Sequence, residues 1–151
     1  MPEQSYTGPD DPRIAGLRVE GFAFPGPLRD KLVAAVLSGA KTSTTGLVVE
    51  YEHEGEPLPR AGTRGAVVDS AGRVVAVTET TDVRVVLLGE VGLQHALDEG
   101  EGYATVAEWR AAHERFWHGD ELRAALGDPD FTVDDVTPVV LERFRLVADL
   151  R

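Results

Sequence analysis

The sequence contains no cysteine. This excludes disulfide staples, thiolate metal sites and a cysteine nucleophile, and it accords with a reducing, cytoplasmic setting. Lysine is nearly absent as well, since Lys31 and Lys41 are the only two among 15 basic residues and the rest are arginines. Positive charge is scarce overall: 26 acidic residues leave a formal charge of −11. Such a surface repels phosphates and argues against extended, non-specific coating of a nucleic-acid backbone, while leaving room for a local pocket. No apolar run approaches the roughly 20 residues of a membrane span. The opening MPEQSYTGPDDPR has neither the basic start nor the apolar stretch of a secretory signal. It reads as part of a flexible tail over residues 1–16.

What remains is an ordinary globular balance, 42% hydrophobic and 27% charged over 151 residues. A single domain over 17–151 of this size buries roughly 70% of its unfolded surface. Leu17 to Phe24 reads as a short strand or extended lead-in. Pro27 then stands at a first helical position, Leu28, Leu32, Ala35 and Val36 follow at helical spacing, and Gly39 terminates, which predicts a helix over 27–38. Thr42 to Tyr51 carries five β-branched residues and favours an extended segment. Two valine-rich runs flank the turn Asp69-Ser70-Ala71-Gly72 as a hairpin, and Val83 to Leu88 supplies a further strand. Gly92 to Asp98 suits a short helix. Thr105 and Glu108 form a capping box ahead of a helix whose apolar face carries Val106, Trp109, Ala112, His113 and Phe116. One more helical turn follows at Asp120 to Leu126, and Pro138 to Val147 closes as a strand. The order predicts an α+β fold, a small mixed or mostly antiparallel β-barrel with flanking and inserted helices.

Several motif matches fail on context. Ser38-Gly39-Ala40-Lys41 spells the S-x-x-K of penicillin-recognising enzymes without their other motifs. Lys41-Thr42 ends no phosphate loop, because Ala35 and Ala40 stand where glycines are needed. The histidines His53, His95, His113 and His118 lack metal-ligand spacing, so no metal or cofactor is expected. Trp109 and Phe116 suit a packed core, or a ring that stacks on a base. Glu99 and Glu101, in a glycine-rich acidic loop, suit solvent.

The strongest local candidate is Gly39-Ala40-Lys41-Thr42-Ser43-Thr44-Thr45, where a tunable amine follows a helix end and four hydroxyls lie within its reach. The helix dipole would stabilise Lys41 as a cation, whereas burial would favour its neutral form, able to activate a hydroxyl or water. Glu79, at the end of an apolar strand, is either a third participant or an exposed edge-strand carboxylate.

Gly39-x-Lys41-x-x-Thr44 matches the GxKxxT signature of ASCH domains, and the chain resembles that family from about Phe22 to Val147. The resemblance includes Tyr51 and the Gly55-to-Pro59 turn, Glu79-Thr80, the Glu99-to-Gly102 loop, Trp109-Arg110-x-x-His113-x-x-Phe116, and Pro138-Val139-Val140-x-Glu142-x-Phe144. It implies a PUA-like barrel and a cleft for a modified nucleoside or short single-stranded RNA. Some members of the family deacetylate N4-acetylcytidine and another is a ribonuclease, so the implied activities are amidohydrolase, metal-independent ribonuclease, or a non-catalytic RNA- or ligand-binding module. Carried over by motif, Lys41, Thr44 and Glu79 are the implied catalytic set. Thr42, Thr45, Trp109, Arg110 and His113 are implied contacts to substrate. The segment Val91–Leu126 is longer than in the small amidohydrolases and departs from their pattern.

Overall fold

A computed structural model describes residues 12–151. Its elements run β1 (Arg18–Glu20), α1 (Pro27–Ser38), β2 (Ser43–Leu47), α2 (Val48–Glu54), β3 (Arg64–Val68), β4 (Val74–Leu87), a 3-10 turn at Leu88–Glu90, α3 (Leu93–Asp98), α4 (Val106–Trp117), α5 (Asp120–Leu126) and β5 (Pro138–Asp149). The expected tail, residues 1–16, lies outside the described residues as far as residue 11. Beyond that point Ile14 already packs on the apolar cluster of Ala66, Val68, Val77 and Leu150.

The five strands form one sheet in the order β1-β3-β4-β5-β2. The α+β architecture is as anticipated, but the barrel is corrected to an open sheet. Strands β1 and β2 are its two edges, and among the described residues no pairing joins them. The edges are short, three and five residues, while the long β4 and β5 form the spine. Closing a barrel requires tilted strands long enough to carry the register around. Here β1 runs parallel to β3 for three pairs, and β2 turns directly into α2.

Local chemistry explains most boundaries. Pro27 starts α1 and Gly39 ends it at φ 86°, a left-handed conformation that glycine adopts without steric penalty. Half of the expected capping box forms at α4: Glu108 N donates to Thr105 Oγ1 at 3.1 Å, whereas the Glu108 carboxylate accepts from Ala104 N, one residue before the cap, at 2.8 Å. Two expectations differ. The stretch 83–88 is not a separate strand, because β4 runs without interruption from Val74 to Leu87. The extended segment ends at Leu47, where Leu47 N donates to Glu50 Oε1 and caps α2 over valines that pattern alone assigns to a strand.

The main core lies between the sheet and α3–α5. Leu47, Val139 and Leu141 from the strands meet Leu88, Trp109, Trp117 and Leu122, with Trp109 wholly buried. At about 25 cal/mol per Å² of apolar surface, the two tryptophans are the largest single contributors. Their burial anchors α4 in the main core, against α3 and α5.

Candidate functional site

A cleft of about 860 Å³ opens between the two sheet edges, with β1 residues 18–20 on one side and β2 residues 44–46 on the other. Both edge strands of the sheet thus contribute to the lining of this candidate site. Alternate residues of a strand face opposite ways, yet Thr44 and Thr45 both line this cleft, so the cleft wraps around the edge strand.

The wall nearest the signature is a buried ionic cluster. The Lys41 side chain is 1% exposed. Its Nζ donates to the Ser43 carbonyl at 2.8 Å and the Glu99 carbonyl at 3.4 Å, and it lies 3.8 Å from Glu99 Oε1 and 3.9 Å from Glu101 Oε2. All these neighbours are acceptors, so the amine is posed as a donor rather than as a base. Glu99, which the sequence reading left in solvent, is instead buried: its Oε2 accepts from Thr45 Oγ1 at 2.5 Å and its Oε1 lies 3.1 Å from His113 Nε2. Burial opposes its charge, but hydrogen bonds from His113 and His95 and the charge of Lys41 outweigh that cost and hold its carboxyl well below the usual range. Burial conversely raises Glu101, with Lys41 opposing and Glu99 reinforcing the shift.

The segment 91–126 supplies this wall. Thr42 N donates to the Asp98 carbonyl at 2.8 Å, Ser43 Oγ to the His95 carbonyl at 3.0 Å, and Arg143 pairs with Asp98. The segment is thus locked onto the signature strand, and the Tyr103 hydroxyl reaches Glu101 at 3.2 Å. Tyr103 itself is pushed up to about 12 by burial and by Glu101.

A second group of carboxylates lines the same cleft. Glu142 on β5 is paired in register with Thr44 on β2. Directly opposed residues of an antiparallel pair present their side chains on the same face, with Cβ atoms roughly 5 Å apart, and both residues line the cleft. Glu142 Oε2 accepts from Thr80 Oγ1 at 2.6 Å, and burial raises its pKa against the pull of Thr80, Arg18 and Lys41. Glu20 on β1 is pushed up to about 7 by burial and the charge of Glu142, with Arg18 opposing. The Tyr51 hydroxyl is raised by burial and by the same two carboxylates.

Of the residues the sequence singled out, Lys41, Thr44, Thr45 and His113 converge on the cleft. Glu79 does not: it stands among cations at the surface, 3.0 Å from Arg64 and 3.5 Å from Arg145, which lower its pKa. Nor is it on an edge strand: β4 is central in the sheet, and Glu79 pairs in register with Arg64 and Arg145 on its two neighbours. Trp109 lies in the core, stacked on His113 with centroids 4.2 Å apart. Arg110 pairs with Glu114 and Asp135 at 2.7 and 2.8 Å, and Thr42 faces the Asp98 carbonyl; neither lines the cleft. Glu20, Tyr51 and Glu142 were missed as site residues. A charge inside the apolar run Val139-Val140-Leu141-Glu142 was the available signal for the last.

Glu99, Glu101 and His113 bring potential ligand atoms within 4.8 Å of one another. The geometry does not favour an ion there, since His113 Nε2 is engaged with Glu99 and the Lys41 amine already stands against both carboxylates.

The ASCH domain family model matches residues 21–148. The chain belongs to the ASCH domain family. Members of this family are associated with RNA binding. Among solved structures, the ASCH domain is similar to one from Lactobacillus crispatus at 25% identity and TM-score 0.74, covering 87% of this chain and 79% of that one. It is also similar to a protein from Enterococcus faecalis at 27% identity and TM-score 0.75, covering 88% and 77%. No curated protein matches the sequence. Among the described residues, no helix is long and apolar enough to cross a membrane.

Proposed function

We propose that this ASCH domain takes a base-bearing ligand, a modified nucleoside or the exposed base of a short single-stranded RNA, into the cleft between its sheet edges and hydrolyses an acyl amide on that base. The observation that carries the reading is the opposition of Thr44 and Glu142 on one cleft face. A hydroxyl nucleophile needs a proton acceptor within reach, and a carboxylate whose pKa burial has raised is a better one than an exposed carboxylate. Thr44 Oγ attacks the acyl carbon while Glu142 takes its proton. Glu142 then returns the proton to the exocyclic nitrogen as the C–N bond breaks, and water releases the acyl group from Thr44 as a carboxylic acid. The Lys41 charge at the adjoining wall stabilises the developing oxyanion.

The charge of the cleft bears on the alternatives. Glu20, Glu99, Glu101 and Glu142 all line it, and carboxylates repel a phosphodiester. That supports a neutral base and acyl group over phosphodiester cleavage. The test is incubation of purified protein with N4-acetylcytidine and a short acetylated RNA, reading deacetylated product by chromatography. Product that vanishes in both Thr44→Ala and Glu142→Gln supports the reading. Saturable binding without product assigns a binding module, and RNA fragments that disappear in Lys41→Ala assign a ribonuclease; either result overturns the hydrolysis.

A further inference from the structure

We propose that Glu99 is the positioning residue of the cleft, holding His113 as a doubly protonated imidazolium so that the two together fix the Lys41 amine in the wall. The inference starts from hydrogen-bond bookkeeping at His113. Its Nδ1 faces the Trp109 carbonyl oxygen at 2.9 Å, and its Nε2 faces Glu99 Oε1 at 3.1 Å. A carbonyl and an ionised carboxylate only accept, so both ring nitrogens must carry a proton, and only the cation carries two.

The ionised state of Glu99 follows from its other neighbours. The Thr45 hydroxyl gives its single proton to Oε2 at 2.5 Å, which leaves Thr45 Oγ1 to accept from His95 Nε2 at 2.8 Å. The groups aimed at the Glu99 carboxylate from β2, α3, α4 and the Lys41 segment are thus donors, and the one further carboxyl that faces it, Glu101, is raised in part by that contact. The groups around His113 complete the picture: the Trp109 ring stacks on it, Trp117 and Tyr103 meet it edge-on, and the charges nearby are Glu99 and Glu101. Burial works against the imidazolium, and Glu99 outweighs it, so His113 is raised.

The consequence falls on Lys41. Lys41 and His113 are the cations of one buried cluster that they share with the Glu99 and Glu101 carboxyls. Because His113 already serves Glu99, the amine stands almost midway between the carboxylates, at 3.8 and 3.9 Å. With a neutral His113, Glu99 would carry uncompensated charge in a low-dielectric wall, and the amine would be drawn toward it and away from Glu101. Glu99 therefore acts through the two cations, Lys41 and His113, that line the cleft with it.

The role of Lys41 in turnover rests on the function proposed above, but the test does not. Full-length protein labelled with 15N at histidine and lysine is titrated by NMR between pH 5 and 10, with His113 assigned by the signal that Glu99-competent but imidazole-free His113→Asn lacks. The expected result is two protonated ring nitrogens at neutral pH, a midpoint above the ordinary histidine value, and a Lys41 Nζ resonance that moves with the same midpoint. Glu99→Gln lowers the midpoint by about one unit or more, and Glu101→Gln lowers it less. A single neutral tautomer in the folded wild-type protein at neutral pH overturns the imidazolium, and a Lys41 resonance indifferent to His113 overturns the positioning. Both readouts come from the wild-type protein, so an unfolded Glu99→Gln leaves the inference open to refutation. Absence of nucleoside hydrolysis would remove the proposed activity and leave these two results unchanged.

Discussion

Gly100 rests directly on the backbone of Ala40 and Lys41. A Cβ at Gly100 would meet the Ala40 carbonyl and stand 2.7 Å from Lys41 N, and the residue also holds φ at +71°. Two independent demands, close approach and a left-handed conformation, therefore fall on one position where the acidic loop docks on the signature. Neither neighbour can yield, because both are backbone. Gly100→Ala should destabilise the fold by about 2 kcal/mol or more, read as a lower urea midpoint. An unchanged midpoint would mean that the loop does not dock on Lys41 as described.

The proposed hydrolysis turns on which carboxylate faces Thr44. Glu142 faces Thr44 across β2 and β5, whereas Glu79 is spent on Arg64 and Arg145 at the surface. Glu142→Gln should lower kcat for an acylated nucleoside by a factor on the order of a hundred or more, and Glu79→Gln should leave it unchanged. The reverse pattern would restore Glu79 to the reaction and remove Glu142.

How far the sequence carries can be judged from these same residues. Helix 27–38, the capped α4 and the closing strand were legible because proline, Thr105 with Glu108, and apolar spacing act locally. The signature likewise marked Lys41 and Thr44. The second carboxylate was not legible, because register decides it: a strand position such as Glu79 faces the cleft or the surface according to pairings with chain 60 or more residues away, and bulges in β4 near Thr78 and Thr80 reset that alternation. The burial of Glu99 was hidden for a related reason. A Glu-Gly-Glu-Gly string reads as a solvated loop until Thr45, His95 and His113 are brought to it from three other elements. The open seam also escaped, since whether short edges close into a barrel depends on length and twist more than on the apolar pattern.

Glu20 gives a pH signature. Its carboxyl is raised from 4.5 to about 7, first by burial and then by Glu142. The folded state thus holds the proton more tightly than the unfolded chain, and this contribution is fully present below pH 4.5 and lost as pH rises through about 7. With the side chain 29% exposed, solvent reduces the effect to on the order of 2 kcal/mol. Glu20→Gln should therefore be more stable than wild type at pH 8 and should flatten the decline between pH 5 and pH 8, measured by urea unfolding at both values. A variant less stable than wild type at pH 8 would show that Glu20 is ionised in the fold without penalty.

Arg115 offers a way to tell whether the proposed ligand is a free nucleoside or a nucleotide within RNA. It lines the cleft beside Tyr103, and among the described residues it has no ion-pair partner, unlike Arg18, which is held by Glu20 and Glu56. A cation left unpaired at the rim of an acidic cleft is suited to a phosphate that follows the bound base, because the carboxylates deeper inside would repel it. Arg115→Ala should then weaken binding of a short single-stranded RNA about tenfold and reduce the slope of log affinity against log salt by about one. A nucleoside lacking phosphate should lose less affinity than the RNA. If the salt slope is unchanged in the variant, Arg115 meets no phosphate and the ligand of this cleft is the nucleoside alone.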